Sequence, residues 1–354
     1  MASNRFIASV MSTAIAAMVS GFCAGCLPSR VLIDLDPNLR DLRATTVIDE
    51  RGDRGARVAL IDLTGPLDLT GSGGPLALGG GRTNVVDRFV ARLEKAERDD
   101  DVKAVLVRIN SPGGTVAASE TLYEEVVRFR QRTSKPVVVS LGEIATSGGY
   151  YVALAGDAVY AQEATVTGSI GVIVQTFNAS EGLGRIGVVG PAVTSRDNKD
   201  IANPFEPIEP AHYAILQNVV DEFYDAFREK VRERRPGIAA ARFDELTDGR
   251  VLPGAQAAAA GLVDGVAGVR DAFAEAKRLA GVERADLVAY SPEGLEPASL
   301  YAVGSGAEIV GDASNGGGAS RLRVSVLDAA GVLPRLRPGL PYYMWTAAAG
   351  GTSE

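Results

Sequence analysis

Beyond residue 26 the chain has no cysteine, because its only two are Cys23 and Cys26. The body of the protein therefore has no thiol for disulfides, metal binding or nucleophilic attack. Histidine is equally scarce. His212 is the single one, and in Pro210-Ala211-His212-Tyr213, at the start of a long helical pattern, it reads as an exposed first-turn residue rather than a base. Positive charge is short as well, with 36 Lys and Arg against 44 Asp and Glu, a formal charge of -8 and a pI near 5.0. No Lys/Arg run interrupts that balance, so nucleic acid is not an expected partner. Apolar residues, by contrast, make up 46% of the 354. That is enough to bury a large core in one elaborated domain or two small ones.

From Phe6 to Leu27 no residue is charged, Arg5 precedes the run, and small residues crowd its end. This is the layout of an export signal, and it places the body outside the cytoplasm, in the cell envelope. Cys23-Ala24-Gly25-Cys26 resembles a bacterial lipobox with Cys26 as the lipidated residue, although Cys23 stands where an aliphatic residue is usual. The run is also long enough to serve as an uncleaved membrane anchor. The expected organisation is a signal or anchor over 1–26, a linker over 27–56, a catalytic domain over 57–300 and a partly flexible extension over 301–354.

Strand and helix patterns alternate through the body. Arg57 to Leu63, Val102 to Ile109 and Pro136 to Leu141 read as buried strands, with a further strand at Ala158 to Ala161. A Gly-rich stretch through Gly81 reads as a loop or flap. Thr83 or Asn84 can cap a helix with Val86, Phe89, Val90 and Leu93 on one face, and a second helix carries Leu122, Val126 and Phe129. Such alternation implies right-handed crossovers and a mostly parallel sheet, an α/β fold. After Pro210 a long amphipathic helix bears Ile215, Val219, Phe223, Phe227 and Val231 and is closed by Pro236-Gly237. It can pack on the sheet or on another subunit. Gly304 to Gly318 reads as loose, and Leu340 to Trp345 turns aromatic again.

Ser147 lies in Glu143 to Tyr151 (EIATSGGYY), between a buried strand and a small-residue helix. A hydroxyl there sits at a helix N-terminus, where amides and the helix dipole favour developing negative charge. Ser-Gly-Gly is also an ordinary cap and turn. Pro112-Gly113-Gly114 follows the preceding strand and falls at the same carboxyl edge of the sheet, able to supply oxyanion amides or merely to turn the chain. With histidine set aside, a lysine whose amine is neutral can act as base. Lys199, in Ser195 to Asp200, is the candidate, although a lysine in so charged a segment ordinarily reads as a solvated loop residue and spacing alone does not favour it as a base.

Taken together, Asn110 to Gly114 (NSPGG), Thr146 to Tyr151 (TSGGYY), Thr167 to Val172 (TGSIGV) and Lys199-Asp200-Ile201 resemble the signal peptide peptidase A family of Ser/Lys serine proteases. Gly249-Arg250-Val251 and Gly261 to Asp264 fit its later part. The resemblance implies a Clp protease/crotonase-like fold of stacked ββα units. It makes Ser147 the nucleophile, Lys199 the general base, Gly114 and Gly148 the oxyanion donors, and Ser169 a hydroxyl that orients the lysine. Where relatives often have Lys-Ser-Gly upstream of the lysine, this chain has Thr194-Ser195-Arg196. No metal or other cofactor is implied. Expected partners are apolar peptides such as cleaved signal peptides, the membrane, and further copies of the chain in a homo-oligomer such as an octamer. The alternatives are an acyl-CoA-processing crotonase-like enzyme, which the export segment disfavours, and a catalytically silent membrane scaffold, which has no need for both Ser147 and Lys199.

Overall fold

The computed structural model describes residues 41–51, 55–70, 84–292, 296–302 and 341–344. The export segment with Cys26, most of the Gly-rich stretch through Gly81, and Gly304 to Gly318 lie outside the described residues. Among those described, no helix is long and apolar enough to cross a membrane.

The centre of the structure is a parallel sheet. Strands β1 (Leu42–Ile48), β2 (Arg57–Thr64), β3 (Val102–Ser111), β5 (Val137–Thr146), β6 (Ala158–Ala161), β9 (Gly265–Val266) and β10 (Asp286–Pro292) lie in the order β1-β10-β2-β3-β5-β6-β9. Only β1 runs antiparallel to its neighbour along this path. Continuous apolar runs such as Ala104-Val105-Leu106-Val107 in β3 and Val137-Val138-Val139 in β5 suit strands covered on both faces.

Helix α1 (Val85–Arg98) starts at Asn84, whose side chain accepts from the Asp87 amide at 2.8 Å, and Asp87 reaches back to the Asn84 amide. This reciprocal pairing satisfies two of the donors a helix leaves open. Phe89 and Leu93 of α1 and Leu122, Val126 and Phe129 of α2 (Val116–Thr133) are buried in one core with Ile61, Val107 and Val139. The other face of the sheet is covered by Phe273 and Ala276 of the C-terminal helix Val269–Leu279, against Val58, Leu106 and Val138. The expected helices and strands are therefore present, with β3 and β5 each reaching further toward the carboxyl edge than their apolar runs suggest.

Those extensions position the site. Three short strands gather at that edge: β4 (Gly113–Thr115), β7 (Val166–Gly168) and β8 (Val251–Pro253), with β11 (Tyr342–Met344) joining β4. Arg108 holds the far side of β3 by a two-pronged pair with Asp62, at 2.6 and 2.9 Å, and by donating to the Leu300 carbonyl at 2.6 Å. A planar guanidinium fits such a carboxylate fork.

Candidate active site

Ser147 stands where β5 ends and helix α3 (Gly148–Ala153) begins. Its backbone has φ 52° and ψ −114°, a region that costs a non-glycine residue about 1–3 kcal/mol and persists only where neighbours enforce it. The enforcement is visible. The Ser147 amide donates to the Gly168 carbonyl and its own carbonyl accepts from the Tyr151 amide, both at 2.8 Å. The hydroxyl lies 3.4 Å from the Gly171 carbonyl, and the residue is 1% exposed. Gly148 follows in the first turn of α3, where helix amides are free of intrahelical partners.

The NSPGG segment lies alongside because Ser111 of β3 pairs with Ala145 of β5. It does more than turn the chain. Gly113, at φ 99°, donates to the Ser111 hydroxyl at 3.1 Å, and Gly113–Thr115 form a strand gripped by Leu67. The Leu67 amide donates to the Gly113 carbonyl at 2.9 Å, and the Thr115 amide donates to the Leu67 carbonyl at 2.8 Å. A Cβ on Gly114 would stand 1.8 Å from the Leu67 oxygen. No other residue fits there.

Ser169 falls at the next register position after the Thr146–Gly168 pair, beside Ser147. It is 8% exposed, has φ 51°, and donates its amide to the Arg250 carbonyl at 2.7 Å. The structure thus brings Ser147, Gly148, Gly114 and Ser169 to one edge. Lys199 is placed otherwise. It lies in an exposed turn between β7 and helix Pro210–Arg234, its amide donates to the Arg196 carbonyl at 3.0 Å, and its side chain bonds to no described residue.

His212 corrects the sequence reading. It is buried, not exposed, because the turn that carries Lys199 folds back over the first turn of helix Pro210–Arg234. The His212 Nε2 lies 3.0 Å from the Asp197 carbonyl oxygen and 3.4 Å from Glu209 Oε2. Around the site, two further features escaped the sequence reading, as did β1, which lies within the stretch read as a linker. Leu67 lies in a segment read as part of a Gly-rich loop, and Tyr342–Met344 belong to Pro338 to Trp345, a stretch with a weak family likeness that was read as aromatic but not as a strand. Tyr150, within the serine motif, is fully buried, and its hydroxyl donates to the Leu262 carbonyl at 2.7 Å. Burial pushes its phenol well above the usual range.

Comparisons with known proteins bear on the family and the fold. The Clp protease family model matches residues 78–170, and that of peptidase family S49 matches residues 129–283. A putative protease of Synechocystis is 35% identical over 196 residues, covering 55% of this chain and 70% of that protein. A putative signal peptide peptidase SppA of Enterococcus faecium is 33% identical over 202 residues, covering 57% of this chain and 58% of that one. Protease 4 of Haemophilus influenzae is 34% identical over 193 residues, 54% of this chain. The chain spans less than a third of the length of Protease 4, 31%, and 30% of that of the chloroplastic serine protease SPPA of Arabidopsis thaliana. The mostly parallel mixed sheet, with its glycine-rich strand ends, is a Clp protease-like α/β fold, and the chain belongs to peptidase family S49.

Proposed function

We propose that the protein is a serine peptidase of the cell envelope that cleaves apolar peptides, including signal peptides left after export. Ser147 is its nucleophile and Lys199 its general base. The observation that carries this reading is the enforced backbone of Ser147. A buried hydroxyl in a strained conformation, at a helix start beside a glycine strand, has no evident structural use.

In this reading neutral Lys199 takes the proton from Ser147 Oγ as the oxygen attacks the peptide carbonyl. The Gly114 and Gly148 amides receive the negative charge on the carbonyl oxygen, and the protonated lysine then returns its proton to the leaving amine. Water repeats the sequence on the acyl group and frees Ser147. Ser169 orients the amine.

A lysine must be desolvated to be neutral near pH 7, and Lys199 is exposed within one chain. The reading therefore has its turn buried by another copy in a homo-oligomer. Exposed Ile186, Val189, Val193, Phe205 and Ile208 support this, since they put apolar surface on the same connection between β7 and the following helix. Membrane attachment through the N-terminal run, with Cys26 as the lipid-bearing residue, would keep the site near its substrates.

The test is hydrolysis of a fluorogenic apolar peptide by the purified protein. Ser147→Ala and Lys199→Ala should each lose at least about 10³-fold in kcat/KM while remaining folded. Full activity in either variant refutes the dyad.

A further inference from the structure

The turn that carries Lys199 has little to hold it. Residues 191–199 are exposed throughout, and the backbone bonds of residues 195–200 stay local. The Lys199 amide donates to the Arg196 carbonyl at 3.0 Å, and the Asp200 carbonyl accepts from the Asn203 amide at 2.9 Å. Among the described residues, one hydrogen bond reaches from 195–200 to another element. It joins His212 Nε2 to the Asp197 carbonyl oxygen at 3.0 Å, two residues before Lys199.

The direction of that bond is fixed by its acceptor. A carbonyl oxygen can only accept, so Nε2 carries the proton, in the neutral ring as in the charged one. Glu209 Oε2 stands 3.4 Å from the same nitrogen and is largely exposed, which makes it the weaker partner. His212 itself is 7% exposed and belongs to the first turn of helix Pro210–Arg234. That end of the helix is anchored. The hydroxyls of Tyr213 and Thr176 lie 3.1 Å apart, the Asn178 side chain donates to the Glu206 carbonyl at 2.7 Å, and the Ala179 amide donates to the Pro204 carbonyl at 2.8 Å. A buried imidazole thus extends from an anchored element to a turn that has no other such tie among the described residues.

We infer that His212 is a positioning residue for Lys199, fixing the turn so that the amine is presented in one place. This rests on the peptidase reading, in which Lys199 is the base. Among the described residues His212 makes no hydrogen bond to Ser147, so it acts through the turn and takes no proton from the reaction. The gain is entropic, because a base whose backbone is already held loses less freedom when the reactive geometry forms.

The test compares two variants of the full chain: His212→Leu, which fills the space without a donor, and His212→Gln, whose amide nitrogen can donate to the same carbonyl. In His212→Leu, hydrogen exchange at the Lys199 and Asn203 amides should quicken by about fivefold, the size of one lost hydrogen bond. Its kcat on the fluorogenic apolar peptide should fall by at least about tenfold with KM unchanged. The melting temperature should stay within a few degrees, and sedimentation velocity should show unaltered assembly. His212→Gln should recover most of both losses. Unchanged exchange in His212→Leu, a kcat that falls only in step with assembly, or a Gln variant as slow as the Leu variant overturns the inference. The two readings fail differently. Full activity of Lys199→Ala removes the base and with it any need to position it, whereas wild-type kcat in His212→Leu beside an inactive Lys199→Ala removes the positioning role alone.

Discussion

The carbonyl oxygen of Ser111 lies 2.9 Å from the place where a Cβ on Gly149 would stand, so the helix that begins at Ser147 is pressed against the end of the strand that leads to Gly114. The proposed nucleophile, Ser147, and the strand Gly113–Thr115 meet through that backbone contact. Neither can shift without the other.

Glycine substitutions at this contact should be graded by the space available. Gly149→Ala meets one carbonyl and should cost about 1–3 kcal/mol, the usual range for overpacking. Gly114→Ala would meet Leu67 backbone atoms at 1.8 and 2.5 Å and cannot be accepted without separating the two segments. Its melting temperature should fall further than that of Gly149→Ala, and, if Gly114 is the oxyanion donor proposed here, its kcat by at least about 10²-fold. Thermal unfolding followed by kinetics on the surviving folded fraction measures both.

If a neighbouring copy completes the site, two inactive variants should repair one another. Ser147→Ala keeps Lys199, Lys199→Ala keeps Ser147, and mixed oligomers contain interfaces that join the intact members. Dissociating and reassembling an equal mixture should restore roughly a quarter of the wild-type activity. No recovery in verified mixed oligomers would place the base and nucleophile within one chain.

The long helix Pro210–Arg234 should divide into two functional halves. Phe227 and Val231 are fully buried, and Phe227 meets the Tyr151 ring edge-on at 5.1 Å. Phe227→Ala should therefore destabilise the chain by about 3–5 kcal/mol. Ile215 and Val219 lie on the same stripe but are only partly covered. Val219→Glu should leave the melting temperature within a few degrees and shift the proposed homo-oligomer toward smaller species. Sedimentation velocity alongside thermal unfolding separates the two effects.

High pH should unfold the protein through its buried phenols. Burial raises the Tyr150 value above the ordinary 10.0, and burial raises Tyr151 and Tyr290 likewise. Above about pH 10 the unfolded chain ionises while the folded one does not, so the unfolded state holds fewer protons and stability falls as pH rises. Below that value the contribution is fully present. Tyr150→Phe should cost about 1 kcal/mol at neutral pH, for the bond to Leu262, and should show a shallower loss between about pH 10 and 12. Urea midpoints across that range give the comparison.

Much of this architecture was legible because its cause is local. Apolar runs marked the strands, Asn84 and Asp87 marked a helix start, and the order of strands and helices implied the parallel sheet that β2, β3, β5 and β6 form. The position of Ser147 at a strand-to-helix junction was legible for the same reason. What the residues alone did not show depends on contacts distant in sequence. His212 is buried by a turn whose Asp197 carbonyl lies 15 positions before it, and its environment follows from how that turn folds. Leu67 grips Gly114 through backbone atoms, which leave no trace in side-chain pattern. Tyr342–Met344 find β4 across more than 200 residues, and a three-residue strand carries too little periodicity to announce itself.

Whether Ser147 is an activated nucleophile is read from the mass of the intact protein after reaction with a fluorophosphonate, followed by mapping of the modified residue. An activated Ser147 should gain one adduct per chain, slowed by at least about 10²-fold in Lys199→Ala. An adduct on another residue, or peptide hydrolysis by a protein whose Ser147 stays unmodified, would rule out Ser147 as the nucleophile.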